Sequence, residues 1–174
     1  SFHRRALERV SGLPGVEQAA FAWGLPLTGN TWPATVEIEG QPIATRASDR
    51  IALPLRSVTP DYFELLEMTI VDGRPFRDSD TQDEAQVLVV NQALADRYFT
   101  GEQAVGRKIW LNGRDRSAAQ VVGVVTNSRT ESLTQEPIPE IYLPLWQARA
   151  FSKHLVLRTA GDPKALAAAA QREL

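Results

Sequence analysis

The apolar run from Val87 to Val90 constrains the fold of this chain more than any other feature of the sequence. Four consecutive aliphatic residues are typical of a strand that is covered on both of its faces. Asn91 follows directly, and its side chain is placed to cap a helix that extends to about Phe99. The sequence therefore predicts a buried strand that leads without a loop into a helix.

Several other runs predict strands, some of them with one polar face. Val36 and Ile38 alternate with glutamates, and this period of two is typical of a half-exposed strand. The range 46–58 alternates in the same way, with aliphatic residues on one face and Arg56 on the polar face, and Pro54 predicts an edge position or a bulge. Further strands are predicted at 16–27, 108–111, 120–125, 140–145 and 154–158, with a hairpin turn at Asn112-Gly113.

Helix signals mark both ends of the chain and one internal site. Apolar residues recur at helical spacing over 2–10, and Gly12 stands where a helix ends. Asp162 is placed to cap an alanine-rich helix that continues to the last residue, and Thr59 to cap a short helix over 61–67. Because helices begin and end the sequence, we expect both termini to be cuts through a longer polypeptide, and processing of the N-terminus would leave the same pattern.

The order of these elements predicts an α+β fold, since the strands do not alternate strictly with helices. The chain has 174 residues, of which 43% are hydrophobic, and this size fits one domain or two small subdomains. The segment 68–86 is predicted to be a loop. Charges, prolines or glycines interrupt every apolar run well before the roughly 20 residues that a membrane span needs.

Charge and cysteine content exclude several classes of function. The formal net charge is −2, so the sequence as a whole offers no electrostatic surface for nucleic acid. The absence of cysteine excludes a disulfide framework, a thiolate metal site and a cysteine nucleophile.

The segment 101–108, GEQAVGRK, nearly matches a phosphate-binding loop. Such a loop follows a strand, precedes a helix and carries Ser or Thr for magnesium. Here a helix is predicted before the segment and a strand after it, and Ile109 stands near the hydroxyl position. We therefore predict a structural turn without a nucleotide site.

Other polar groups do not form a recognisable catalytic or metal site. The acidic cluster breaks the spacing of a calcium loop, so we predict a solvated loop, and the two histidines lack the spacing of a zinc site. The residues concerned are Asp78, Asp80, Asp83, Glu84, His3 and His154. Ser57 is interpreted as a strand hydroxyl, and we assign no catalytic, cofactor-binding or metal-ligating residue.

The four tryptophans are the remaining candidates for an interface. Large aromatic side chains mostly fill cores but are also enriched where proteins meet. Core filling is favoured for Trp23, Trp110 and Trp146, and a partner-facing position for Trp32, which lies beside the predicted turn at 28–30.

Eight phrases in order resemble the periplasmic core domain of bacterial permeases of the MacB/FtsX type. They are LPGVEQAA at 13–20, VTPDYF at 58–63, GRPF at 73–76, VVNQALADRYF at 89–99, AVGRKI at 104–109, VVGVV at 121–125, EIYLP at 140–144 and LRTAGDP at 157–163. The resemblance covers nearly the whole chain. It implies a non-catalytic extracytoplasmic domain, inserted between the first and second transmembrane helices of an ABC transporter permease.

The resemblance also implies an internal division and a set of partners. A porter-like α/β subdomain would comprise 1–70 plus 150–174, and a smaller, mostly β, Sabre-like subdomain 71–149. The expected partners are the transmembrane helices of the same permease and, through them, a cytoplasmic ATP-binding subunit, with a periplasmic adaptor and an outer-membrane channel as further possibilities. The isolated domain is expected to be monomeric, without a cofactor, and its ligand-binding residues are unknown.

Two alternatives from other classes stay open at this point. One is a small soluble hydrolase or transferase whose active site is built from scattered residues such as Asp61, Asp78 and Arg129. The other is a stand-alone extracytoplasmic ligand-binding module.

Overall fold

A computed structural model describes residues 2–25, 32–113, 118–128, 136–148 and 154–173. The α-helices are α1 (Phe2–Ser11), α2 (Tyr62–Leu65), α3 (Gln92–Tyr98) and α4 (Pro163–Glu173), and a 3-10 turn covers Ala47–Asp49. The strands are β1 (Val16–Trp23), β2 (Trp32–Ile38), β3 (Ile51–Val58), β4 (Ile70–Gly73), β5 (Val87–Asn91), β6 (Lys108–Leu111), β7 (Ala119–Val125), β8 (Ile141–Pro144) and β9 (His154–Thr159). The α+β class is confirmed.

Six strands pair with one another in a closed ring. The order around the ring is β2, β6, β7, β5, β8 and β3, and β3 pairs again with β2. The β5–β7 and β3–β8 pairs are parallel, and the other four pairs of the ring are antiparallel. The antiparallel β6–β7 pair confirms a hairpin around Asn112-Gly113, and residues 114–117 of its connection lie outside the described residues.

The predicted apolar faces fill the inside of this ring. Val36, Ile38 and Leu53 are buried there together with Leu88 and Val90 of β5. The other face of β5 packs against a second cluster that includes aromatic residues of α2. All five residues of β5 are buried, so the prediction of a strand covered on both faces is confirmed.

The two ends of the chain form a layer beside the ring. β1 pairs with β9 over six residues but with β3 over only two. Helices α1 and α4 contact each other, and Val10, Ala19 and Ala170 share a small core. Among the described residues, no helix reaches the length and apolar character that a membrane crossing requires.

Two local predictions were wrong. The predicted loop 68–86 contains strand β4, which pairs with β7. The short helix is limited to Tyr62–Leu65, and its N-cap residue is Asp61. Thr59 does not cap it, because the Thr59 hydroxyl oxygen accepts a hydrogen bond from the backbone N–H of Phe21 at 3.0 Å. A bond to another strand has therefore replaced the local cap.

Candidate functional site

A buried ion pair lies between β3 and the start of β8. Arg56 Nη2 donates to Glu140 Oε1 at 3.1 Å, and both side chains are 0% exposed. Arg56 was placed on a polar strand face, which we expected to be half-exposed, and this expectation was wrong. A charge buried in this way needs its partner, because an unpaired charge in an apolar interior is strongly destabilising.

Two hydroxyl groups complete the bonding of the Glu140 carboxylate. Tyr142 donates to Glu140 Oε2 at 2.8 Å, and Ser128 donates to the same oxygen at 3.0 Å. Burial, with the negative charge of Glu140 adding to it, holds the pKa of Tyr142 well above its usual value. The phenol therefore remains a hydrogen-bond donor at neutral pH.

Asn91 connects this ion pair to the start of α3. Its Oδ1 accepts from the backbone N–H of Leu94 at 3.0 Å, which confirms the predicted helix cap. The same oxygen accepts from the backbone N–H of Glu140 at 2.9 Å, and Asn91 Nδ2 donates to the carbonyl of Ile138 at 2.7 Å. One side chain thus fixes the helix and the chain that carries the carboxylate.

The site also holds polar atoms without a partner among the described residues. They are Nε and Nη1 of Arg56 and the hydroxyl of Tyr62. Burial raises the pKa of Tyr62 to about 12. Among the described residues, the Arg56 guanidinium is thus paired through Nη2 alone.

We call the set Arg56, Asn91, Ser128, Glu140 and Tyr142 the Arg56–Glu140 network. It joins β3, β5, β8 and α3 on the face of the ring that packs against the second cluster. Beyond Arg56, β3 continues to Val58, where it pairs with Ala22 of β1. The network therefore lies next to the short connection between the ring and the layer formed by the chain ends.

The residues grouped in the hydrolase hypothesis are only partly brought together. Partial burial, and then the negative charges of Asp78 and Glu64, raise the pKa of Asp61. Asp61 and Asp78 are both on the surface, and Arg4 donates to the backbone carbonyl of Asp78 at 3.0 Å. Arg129 lies outside the described residues.

The acidic cluster is not uniformly solvated as predicted. Asp78, Asp83 and Glu84 are exposed, but Asp80 is 7% exposed. Both oxygens of Asp80 accept hydrogen bonds from the guanidinium of Arg74, at 2.9 and 3.0 Å. In the described part of the chain, no group of three or more His, Cys, Asp or Glu side chains could hold a metal ion.

Replacement of Asp80 should have a pH-dependent effect on stability. Burial alone would raise the pKa of Asp80, but the hydrogen bonds from Arg74 and from the backbone N–H of Arg77 outweigh it and lower the pKa. The ionised carboxylate therefore stabilises the fold above its unfolded pKa of about 4, and this contribution is lost as the pH falls through the lower folded value.

Asp80→Asn is accordingly expected to reduce the free energy of unfolding by about 2 kcal/mol at pH 7. The difference from the wild type should shrink as the pH falls below about 4. Urea denaturation of the wild type and the variant at a series of pH values measures this difference in the free energy of unfolding. A difference that stays constant across this pH range would contradict the role given to Asp80.

The other polar patterns have structural positions. Segment 101–108 follows α3 and ends at the first residue of β6, the opposite order from a phosphate-binding loop. The ring of His3 packs edge-on against Phe21 with 5.2 Å between centroids, and burial lowers its pKa. His154 begins β9 and is half-buried, and Ser57 is buried in β3.

The tryptophans are not fully buried. Trp23, Trp110 and Trp146 are half-buried, so the interpretation as core residues holds only in part. The guanidinium carbon of Arg4 lies 5.2 Å from the ring centroid of Trp146, a cation–π distance. The side chain of Trp32 lies outside the described residues.

The sequence reasoning missed the Arg56–Glu140 network. Two signals were available in the sequence. Arg56 lies within an otherwise mostly apolar strand, and Glu140 directly precedes a second apolar strand. Neither residue is unusual by itself, because arginine and glutamate are common on exposed strand faces. Their sequence separation of 84 residues left no local pattern by which to pair them.

Comparison with known proteins identifies the family. A sequence model of the MacB-like periplasmic core domain matches residues 6–173. The chain is 30% identical over 90 residues to the ABC transporter permease YvrN of Bacillus subtilis (strain 168). That alignment covers 50% of this chain and 21% of YvrN, so the chain matches about a fifth of that relative's length.

Solved structures share the fold at low sequence identity. The periplasmic region of MacB from Actinobacillus actinomycetemcomitans has a TM-score of 0.68 at 12% identity, with 96% of this chain and 70% of that chain covered. The extracellular domain of the noncanonic ABC-type transporter YknZ from Gram-positive bacteria has a TM-score of 0.61 at 15% identity, with 94% and 75% covered. The chain belongs to the MacB-like periplasmic core domain family, and it is an extracytoplasmic, non-enzymatic domain of a membrane permease.

Proposed function

We propose that this domain transmits ATP-driven movement of the transmembrane helices of an ABC transporter permease to the outside of the cytoplasm. The movement would serve substrate export or the engagement of a partner. Family membership and the similarity to YvrN, which is named as an ABC transporter permease, support this proposal. In this arrangement the domain follows the first transmembrane helix and precedes the second.

The packing of the two chain ends is the observation that carries the proposal. α1 and α4 contact each other, and Arg9 Nε donates to Glu173 Oε2 at 2.7 Å. Val10 and Ala170 share a core with Ala19 of β1. Two transmembrane helices continuing from these ends would both be attached to the layer formed by the chain ends, and they would move this layer as one body.

The β1–β3 strand pairing is short, and we propose it as the hinge between this layer and the ring, which also share the second cluster through Ala20 and Ala22. Only Ala22 and Trp23 of β1 pair with β3, at Val58 and Ser57. A two-state element is needed for long-range coupling, and the Arg56–Glu140 network lies beside this connection. We propose this network as that element, because Nε and Nη1 of Arg56 are donors for which a second arrangement would provide acceptors.

The division into two subdomains and the partners remain part of the proposal. We keep 1–70 plus 150–174 as the porter-like part and 71–149 as the Sabre-like part, although β2 and β3 pair with β6 and β8 of the middle segment. The proposed partners are the transmembrane helices of the same permease, a cytoplasmic ATP-binding subunit, and a periplasmic adaptor with an outer-membrane channel.

Distances between spin labels in the intact permease test the proposal. The chain has no cysteine, so cysteines introduced at the exposed positions Glu8, Lys108 and Arg172 are the only labelling sites within the domain. ATP should change the distance from α1 to β6 and leave the distance from α1 to α4 unchanged. A permease with an ATPase subunit that cannot bind nucleotide is the control.

A further inference from the structure

A groove of about 520 Å³ lies between β4, α3 and the loop that follows α3. Its floor is apolar, since Phe99 and Val124 are each only 4% exposed. On its rim Val71 is 49% exposed, and among the described residues only one other large apolar side chain, Ile43, is as exposed. The groove thus offers apolar contacts that no described residue covers.

The polar part of the rim is acidic. Asp72, Asp96 and Glu102 line the groove, and no lysine or arginine does so. The carboxylate of Glu102 pairs with Arg107. Asp72 receives only a long contact of 3.5 Å from Gln103 Nε2, and no described residue pairs with the Asp96 carboxylate. Two carboxylates are therefore available to a cationic group.

Strand β4, which carries Asp72, has one edge without a neighbouring strand among the described residues. In the described part of the sheet, β4 pairs with β7 alone, so its other edge carries unpaired backbone groups. Such an edge accepts an added strand from another chain, with the backbone giving affinity and the side chains giving specificity.

We propose that this groove binds an extended, positively charged segment of a partner protein. The backbone of the segment pairs with the free edge of β4, its lysine or arginine side chains meet Asp72 and Asp96, and an apolar side chain contacts the exposed Val71 of β4. The proposal goes beyond the proposed function, because this surface shares no residue with the Arg56–Glu140 network and does not depend on ATP-driven movement.

Titration of the isotope-labelled chain with synthetic peptides, followed by amide NMR, tests the proposal. One eight-residue peptide alternates valine with lysine, and a second alternates valine with glutamate. The lysine peptide should shift the amides of Ile70–Gly73 and of residues 92–104, with an affinity that falls as salt is added. The glutamate peptide should not bind, and a lysine peptide with N-methylated backbone amides should bind more weakly.

Matched variants separate docking from general electrostatic attraction. Asp72→Asn with Asp96→Asn should weaken binding of the lysine peptide about fivefold. Asp83→Asn with Glu84→Gln removes two exposed charges away from the groove and should leave the affinity unchanged. Equal weakening by both variants, similar binding of the lysine and glutamate peptides, or an absence of shifts at Ile70–Gly73 would each overturn the proposal.

Discussion

Glu140→Leu is expected to lower the free energy of unfolding by about 3–5 kcal/mol. The Arg56 guanidinium, 0% exposed and bonded to Glu140 at 3.1 Å, would keep its charge without a counter-charge. The hydroxyls of Tyr142 and Ser128 would lose their acceptor as well. Urea denaturation at neutral pH measures the loss, and a change below about 1 kcal/mol would show that the pair is not buried as described.

A double variant separates the cost of the lone charge from the cost of lost packing. Arg56→Met combined with Glu140→Leu removes both charges and keeps similar side-chain volumes. It should be more stable than Glu140→Leu alone by about 2 kcal/mol or more. In the intact permease the same double variant should still fold but should lose the ATP-dependent change, because the proposed two-state element is gone.

Gly123→Ala is expected to destabilise the fold by about 3 kcal/mol through a backbone clash. A Cβ at this position would lie 2.2 Å from the carbonyl oxygen of Arg74. Gly73, its register partner in β4, has φ +71 and favours glycine for that reason. Since backbone atoms cannot yield, β4 must separate from β7, and the amides of Ile70–Gly73 should lose protection from hydrogen exchange.

Gly161→Ala is the matched control for this substitution. A Cβ at Gly161 meets no atom within 4 Å, so its effect should stay within about 0.5 kcal/mol. If Gly123→Ala and Gly161→Ala had the same stability and the same exchange pattern, the close approach of β4 and β7 would be contradicted.

Elements with strong local signals could be predicted from the sequence. The aliphatic run of β5, the cap at Asn91 and the amphipathic end helices each depend on residues a few positions apart. By contrast, β4 has only four residues in a segment rich in glycine, proline and aspartate, and it is held in place by β7, some fifty residues later.

Long-range partners account for what the sequence could not predict. The Thr59 hydroxyl accepts a hydrogen bond from the backbone N–H of Phe21 in β1. The Asp80 carboxylate, which we expected to be solvated, accepts hydrogen bonds from Arg74. The Arg56–Glu140 pair depends on the parallel alignment of β3 with β8. Local propensity is overridden at these positions because the buried polar groups must be satisfied by the tertiary fold.

The most direct test of the account is the pair of spin-label distances in the intact permease. The distance from Glu8→Cys on α1 to Arg172→Cys on α4 should be the same with and without ATP, because the two helices share a core and an ion pair. The distance from Glu8→Cys to Lys108→Cys on β6 should shift when ATP is added. If both distances stay fixed, or if α1 and α4 move apart, the domain does not transmit movement in the way proposed.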